Sequence, residues 1–471
     1  MNHRVRAAAR TTLALAAPLA VAGCAGAAGP APVPESRTAP PPSATIRTLC
    51  EAGTDCPADF LIWADAARAA ALEASVETFG REHGVVARVQ AVDGILGRLT
   101  WAAGDAARSG ASLRTSTPTR PAVTGVASLR TSTPTGTADA VPRTPDVFVG
   151  AHEWLGRLVS QSLVTPVPLP SDVAGRFAET AIRATRFGGV AYGVPHAVEN
   201  VALIRNTSLA PDAPATMDEL VAKGRELLAA KKASRILAQF VSAGGNAYYA
   251  LPYLAAFPGG GVFGVKANGD YDPTKVIVNS PGSVRGGEVL RRLGAAGVLA
   301  ADVDDTTMDQ MFTAGTTPYL ISGPWSAAKA KAANVPYAIS PLPRLTGGGP
   351  MRPFVGVQMF YASATGKSPQ LAREFLANWV PRKDVQLALY SAGRRPPALR
   401  EAFEEAARSE PELRSWFEAG AAGMLIPGIP AMDAVWKPAG LATVQIITGK
   451  AAPKARLDAL QREILLGIAR G

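Results

Sequence analysis

DFLIWADAARAAALEASVETFGREHGVVARV, residues 59–89, is the stretch from which the fold can be read. Asp59-Phe60-Leu61-Ile62-Trp63 is an apolar run of strand length, and Leu72, Val76 and Phe79 follow at helical i, i+4, i+7 spacing. Gly84 supplies a stop signal for that helix. Residues 85–89 then alternate as a second strand. A strand, a helix and a strand in this order predict a largely parallel sheet with flanking helices, hence an α/β fold.

The same alternation continues downstream. Pro145-Asp146-Val147-Phe148-Val149 reads as a buried strand, followed by an amphipathic turn over 153–159. Ser280-Pro281 and Ser368-Pro369 signal helix starts, with Ser as cap and Pro in the first turn. Pro318-Tyr319-Leu320-Ile321 reads as a strand. The last helix carries Leu457, Leu460, Ile464, Leu465 and Ile468, a stripe expected to pack on the sheet. The pattern dissolves only at 105–143, where a nonapeptide starting at Ala111 recurs from Ala127. Two copies without an apolar face do not make a solenoid, so this is read as a disordered surface insertion.

A chain of 471 residues with 47% hydrophobic content should form two bodies rather than one. The formal charge is +10. No Lys/Arg run is interleaved with aromatics, so no nucleic-acid partner is expected. Residues 1–23 have a basic start, an apolar run at 13–22 and small residues before Cys24, the layout of a secretory signal. Leu19-Ala20-Val21-Ala22-Gly23-Cys24 resembles the lipobox of bacterial lipoproteins, which implies a lipidated Cys24 and an outward-facing membrane anchor. An ordinary secretory signal is the alternative. Residues 24–56 are then the lipidated cysteine and a flexible linker, rich in Ala, Pro and Ser. Cys50 and Cys56 lie close enough in sequence for a local disulfide, two free thiols being the alternative.

Catalytic and metal signatures are scarce. There are four histidines, and no HExxH, CxxC or GxSxG pattern, so neither a metal nor a cofactor is expected. What recurs at the ends of the predicted strands is aromatic and acidic: Trp63 and Asp65, His152 and Glu153, Glu199, Tyr248, Trp325 and Trp436. Strand ends are where α/β proteins bind ligands. Flat rings suit the C–H faces of a sugar, and ionised acceptors suit its hydroxyls.

From about Phe60 onward the chain resembles the maltose/maltodextrin-binding proteins of the extracellular solute-binding family (family 1). The similar stretches are Leu61-Ile62-Trp63, Pro145-Asp146-Val147-Phe148, Tyr192-Gly193-Val194-Pro195 running on to Glu199, Ile321-Ser322-Gly323-Pro324-Trp325, Pro353-Phe354-Val355-Gly356-Val357, and Ile426-Pro427-Gly428 running on to Trp436. The resemblance implies the type II periplasmic-binding-protein fold: two lobes, each a mixed sheet flanked by helices, joined by a three-segment hinge. One lobe would comprise 57–197 and 360–404, the other 201–354 and 411–471, with crossings near Val198-Glu199, Phe354-Gly356 and Glu405-Glu410.

The resemblance further implies that Trp325, Trp436 and Tyr248 stack on sugar rings, that Asp65, Glu153 and Glu199 accept from hydroxyls, and that Arg68 donates. Trp63 would pack behind the site. Ala67, Gly150, Trp154 and Asn246 depart from the family pattern, which leaves the exact sugar open. Trp154 either replaces the platform missing at Gly150 or packs beneath the insertion. The expected role is a monomeric, non-enzymatic, extracytoplasmic binding protein that captures maltose or a maltodextrin and hands it to ABC permease subunits. Trehalose, a cyclodextrin or another oligosaccharide are alternative ligands, and a secreted glycoside hydrolase is the alternative class.

Overall fold

The computed structural model of the chain describes residues 49–50 by backbone only, and residues 56–102, 143–267 and 269–470. The signal segment, Cys24, the linker and the repeats lie outside the described residues. Cys56 is buried and disulfide-bonded. The side chain of Cys50, its expected partner, is also outside the description.

In chain order the strands of the two main sheets are β1 (Leu49–Cys50), β2 (Phe60–Ala64), β3 (Ala87–Ala91), β4 (Val147–Ala151), β5 (Val164–Thr165), β6 (Gly193–Asn200), β7 (Ala202–Asn206), β8 (Leu237–Ala238), β9 (Tyr319–Ser322), β10 (Tyr337–Ser340), β11 (Phe354–Ser363) and β12 (Met424–Leu425). The helices that matter to the site are α1 (Ala66–His83), α2 (Ala247–Leu254), α3 (Pro324–Ala332), α4 (Lys383–Gly393), α5 (Arg400–Ser409), α6 (Glu412–Gly420) and α7 (Trp436–Ile447).

The first sheet runs β1-β3-β2-β4-β11-β12, with β5 and β6 also on β11. Its opening matches the parallel expectation, because β1, β2, β3 and β4 pair in parallel. The whole sheet is mixed, since the ten-residue β11 runs antiparallel to β4, β5 and β6. The second sheet, β8-β9-β7-β10, is mixed too.

Strand alternation explains the unbroken apolar run that opens the chain. Phe60, Ile62 and Ala64 enter the core on one face of the first sheet, and Leu61 and Trp63 enter the core on the other. Helix α1 closes the first of these faces with Leu72, Val76 and Phe79, all fully buried. The Phe79 ring lies 5.2 Å from those of Phe60 and Phe375. Burial of such a ring contributes about 2–3 kcal/mol. A separate core surrounds the second sheet, built from residues such as Leu203, Ile204, Tyr253, Phe312 and Leu320.

Three sequence expectations need correction in detail. Gly84 does end α1, at φ 64°, but β3 starts at Ala87 rather than at Val85. Val85 is occupied in closing the helix, its N–H donating to the Gly80 carbonyl at 2.9 Å, and the Val86 N–H donates to Asp59 Oδ2 at 2.8 Å. Ser280 caps its helix by accepting from the Ser283 N–H, whereas Ser368 makes no such bond. Ser368 instead donates from its hydroxyl to the Asp59 carbonyl and from its N–H to Asp146 Oδ1. The C-terminal stripe also packs differently: Leu457, Leu460 and Ile464 are buried, the helix lying mainly against α7 and the helix Pro281–Ala295 rather than on either main sheet, and Leu465 is exposed.

Three stretches carry the backbone from one core to the other, and Tyr390 of α4 also reaches into the second core. It passes from β6 to β7 through Val201, which is already in the second core. Within β11, Phe354 belongs to the second core and Val357 to the first. Along α5, Ala402 packs with the first core and Ala406 with the second. Among the described residues no helix is long and apolar enough to cross a membrane.

Candidate functional site

Where β6 and β11 run side by side, Glu199 is in register with Gly356. A side chain at Gly356 would press on Glu199, coming within 3.2 Å of its Cγ. Gln358 stands two residues along the same strand and therefore on the same face as Gly356. Its Nε2 donates to Glu199 Oε1 at 2.8 Å. The second Glu199 oxygen is paired with Arg395, just beyond α4.

The side-chain Oε1 of Gln358 accepts from Arg68 Nη2 at 3.2 Å. Arg68 is in turn paired with Asp65 at 2.9 Å, and Asp65 also caps α1 by accepting from the Arg68 N–H. A continuous polar chain thus runs from Asp65 through Arg68, Gln358 and Glu199 to Arg395. Burial pulls the Arg68 guanidinium below its ordinary value, and Asp65 opposes that shift.

Glu199, Gly356 and Gln358 line a cavity of about 340 Å³ together with Ala151, Glu153, Tyr248, Trp325, Ile426 and Trp436. Five of the seven residues singled out from sequence meet there: Glu153, Glu199, Tyr248, Trp325 and Trp436. Asp65 and Arg68 do not line it and reach it through Gln358. Gln358 and Arg395 were not picked out from sequence. Gln358 left a usable signal, as the one amide side chain in the largely apolar run of β11. Arg395 left none, being one of several arginines in a loop.

Each aromatic has a local reason for its position. Trp325 lies in the first turn of α3, and its ring crosses the space that a Gly323 side chain would fill, 2.2 Å from that Cβ position. Tyr248 opens α2, whose cap is Asn246, with Oδ1 accepting the Tyr248 N–H at 3.1 Å. The departure at Asn246 therefore serves the helix start. Phe354 sits between two of the platforms, with ring centroids 6.3 Å from Tyr248 and 6.1 Å from Trp436. Burial raises the Tyr248 hydroxyl well above the usual phenol range.

Glu153 belongs to a short 3₁₀ turn, His152–Trp154, that follows β4. Burial, then the charges of Glu199 and Asp433, push its carboxyl up to about 7. Asp433 is itself paired with Arg157 at 3.1 Å. His152 fixes the turn from behind: its Nδ1 accepts from the Val357 N–H and its Nε2 donates to the Ile426 carbonyl, both at 3.0 Å. Burial pushes this imidazole down to about 4, so it stays neutral. Trp154 occupies the space where a Gly150 side chain would stand, 2.1 Å from that Cβ position, and packs on the core of Leu61, Trp63 and Phe148. It does not line the cavity. Trp63 is buried in the same core and donates from its indole N–H to Gln90 at 2.9 Å.

A cavity with two indoles, a phenol, two carboxylates and an amide has the chemistry of a carbohydrate site: apolar faces for ring C–H groups, and acceptors and donors for hydroxyls. Residues 120–414 match the family described as bacterial extracellular solute-binding protein. A galactooligosaccharide-binding protein of Bacillus subtilis is 28% identical over 321 residues, covering 67% of this chain and 75% of its own length. A maltodextrin-binding protein of the same organism is 28% identical over 314 residues, covering 65% and 73%. A maltooligosaccharide ABC transporter solute-binding lipoprotein of Streptococcus pneumoniae is 27% identical over 323 residues, covering 67% and 75%. With a family match over more than half its length, the chain belongs to the bacterial extracellular solute-binding proteins.

Proposed function

We propose that the chain captures an oligosaccharide, with maltodextrins as the first candidates, in the cavity between its two cores, and delivers it to the permease of an ABC importer. The observation that carries this reading is the convergence of Trp325, Trp436, Tyr248, Glu153 and Glu199 on one cavity from elements of both cores. A long ligand suits a cleft built this way, because successive sugar rings can each meet an aromatic face. Relatives named for maltodextrin and for galactooligosaccharide both favour an oligosaccharide.

The three changes of core give the hinge of this proposal. Two rigid bodies joined by three segments can rotate towards each other, and a ligand touching both stabilises the closed form in proportion to its extra contacts there. A permease can then distinguish loaded protein from empty. Anchoring through a lipidated Cys24 fits the lipobox-like sequence, and one relative is itself named a lipoprotein.

Calorimetric titration with maltose, maltotriose, longer maltodextrins, trehalose and galactooligosaccharides tests the ligand. Heat is expected with an oligosaccharide. Trp325→Ala and Trp436→Ala should each weaken binding about tenfold, through loss of roughly 1–1.5 kcal/mol of stacking. Silence across the panel rejects the carbohydrate reading.

One observation favours a second reading. Glu153, with its raised carboxyl, beside the ionisable Glu199 resembles the acid and base pair of a glycoside hydrolase. Glu199, however, is already engaged by Arg395 and Gln358. Incubation with maltodextrin should release no reducing sugar, and sustained release would favour the enzyme.

A further inference from the structure

Three carboxylates stand at or beside the cavity, on three different elements, and their surroundings are unequal. Glu199 on β6 has Arg395 and Gln358. Asp433, in the turn Pro430–Ala434, has Arg157. Glu153 has no counter-ion and no hydrogen-bond donor among the described residues. The groups that face it are two carboxylates, Glu199 and Asp433, and two phenols, Tyr248 and Tyr361. Tyr361 cannot give it a proton, because its hydroxyl already donates to the Ala151 carbonyl at 2.8 Å. His152, its neighbour in the chain, has both ring nitrogens engaged. Arg68 is turned to Asp65 and Gln358.

No metal site among the described residues offers an alternative neutraliser, since no three His, Cys, Asp or Glu side chains come together as one there. A neutral sugar cannot supply a positive charge either, and it displaces the water that still reaches Glu153. Loss of that water penalises the ionised form further.

We propose that Glu153 takes up one proton as the oligosaccharide binds, and meets it as a neutral carboxylic acid that donates one hydrogen bond and accepts another. This rests on the carbohydrate reading of the cavity and adds the protonation state of one recognition group. A carboxylic acid suits a hydroxyl or glycosidic oxygen better than a carboxylate beside Glu199 does, because it presents a donor. The free group, already pushed up to about 7, is part-protonated near neutral pH. The proton comes from the solvent, so uptake should grow with pH. It should be near zero at about pH 5.5, roughly half a proton at about pH 7 and close to one at about pH 8. Affinity should accordingly fall above neutrality, by up to about tenfold per pH unit.

The test is calorimetric titration of the chain with maltotriose at these three pH values, in acetate and MES at the lowest and in phosphate and Tris at the other two. Their different ionisation heats reveal protons taken up. Uptake that rises with pH in the wild type and vanishes in Glu153→Gln supports the proposal. Heat of binding that is independent of buffer overturns it while leaving the carbohydrate reading intact, and so does proton release. Uptake that persists in Glu153→Gln assigns the proton elsewhere and also overturns it. Should Glu153→Gln bind too weakly to measure, ligand-free melting curves decide. A carboxyl raised by folding stabilises the folded state below its unfolded value, and that stabilisation is lost as pH rises towards 7. The wild type should therefore lose more Tm than Glu153→Gln between about pH 5 and pH 8, and parallel curves overturn the proposal. No heat from any saccharide rejects the functional reading itself.

Discussion

Removing Arg395 would leave Glu199 with a single neutral donor, Gln358, at a position where little water reaches it. An uncompensated, mostly buried carboxylate is costly, so Arg395→Ala should lower stability by roughly 2–4 kcal/mol and also weaken sugar binding. Paired substitution with Glu199→Gln separates the two effects. If the pair matters as described, the double variant is more stable than Arg395→Ala alone, as denaturant unfolding would report. Equal stabilities would mean that the pair is incidental. At this scale the sequence was legible where a residue type declares its chemistry, but the expected strand-end placement holds only for Asp65, Glu153 and Trp325, since Glu199 lies within β6 and Tyr248 and Trp436 stand at helix starts. Arg68 and Arg395 were harder to read because their work is done on other side chains. A partner 290 residues away, as for Arg68 and Gln358, leaves no local pattern.

Short elements hold the indoles, and glycine decides the placement of two of them, one in the cavity and one in the core. Trp325 and Trp154 each fold their ring over a glycine two or four residues before them in the chain, Gly323 and Gly150. A methyl group at either site enters the ring's space, at a cost of about 1–3 kcal/mol unless the ring moves. The two substitutions should nonetheless differ in kind. Gly323→Ala displaces a ring that lines the cavity and should reduce saccharide affinity, as read by titration. Gly150→Ala displaces a ring that packs in the core and should lower Tm with a smaller effect on affinity. Equal effects on affinity would contradict the placement of Trp154 outside the site. The element pattern itself was readable from residues 59–89, because α1 and its flanking strands carry their periodicities locally. The pairing of β11 was not: that strand serves β4 on one side and β6 on the other, and its apolar run does not encode two antiparallel neighbours. The start of β3 was missed by two residues because the helix cap uses residues that alternate like a strand.

For the whole molecule, β6 and β11 separate two cavities. Glu199 and Gly356 face the cavity of about 340 Å³, while Val198, Asn200 and Val355, their neighbours in the alternation, line another of about 700 Å³. Strands with open space on both sides can bend without dismantling either core, which is what the proposed rotation of the two cores requires. Chain length and the resemblance to maltodextrin-binding proteins raise the expectation of two bodies, and what the structure supplies towards it is a separate core around each main sheet; the polar chain from Asp65 to Arg395 emerges only once β6, β11 and α1 are assembled. The central claim is that the two cores close over an oligosaccharide held by indoles and carboxylates. Small-angle X-ray scattering of the chain, with and without a saturating amount of the saccharide that gives the largest heat in the calorimetric panel, measures that closure. The account predicts a smaller radius of gyration in the loaded protein, with the change lost in a Trp325→Ala, Trp436→Ala double variant at the same saccharide concentration. Superimposable profiles for free and saturated wild-type protein would contradict it.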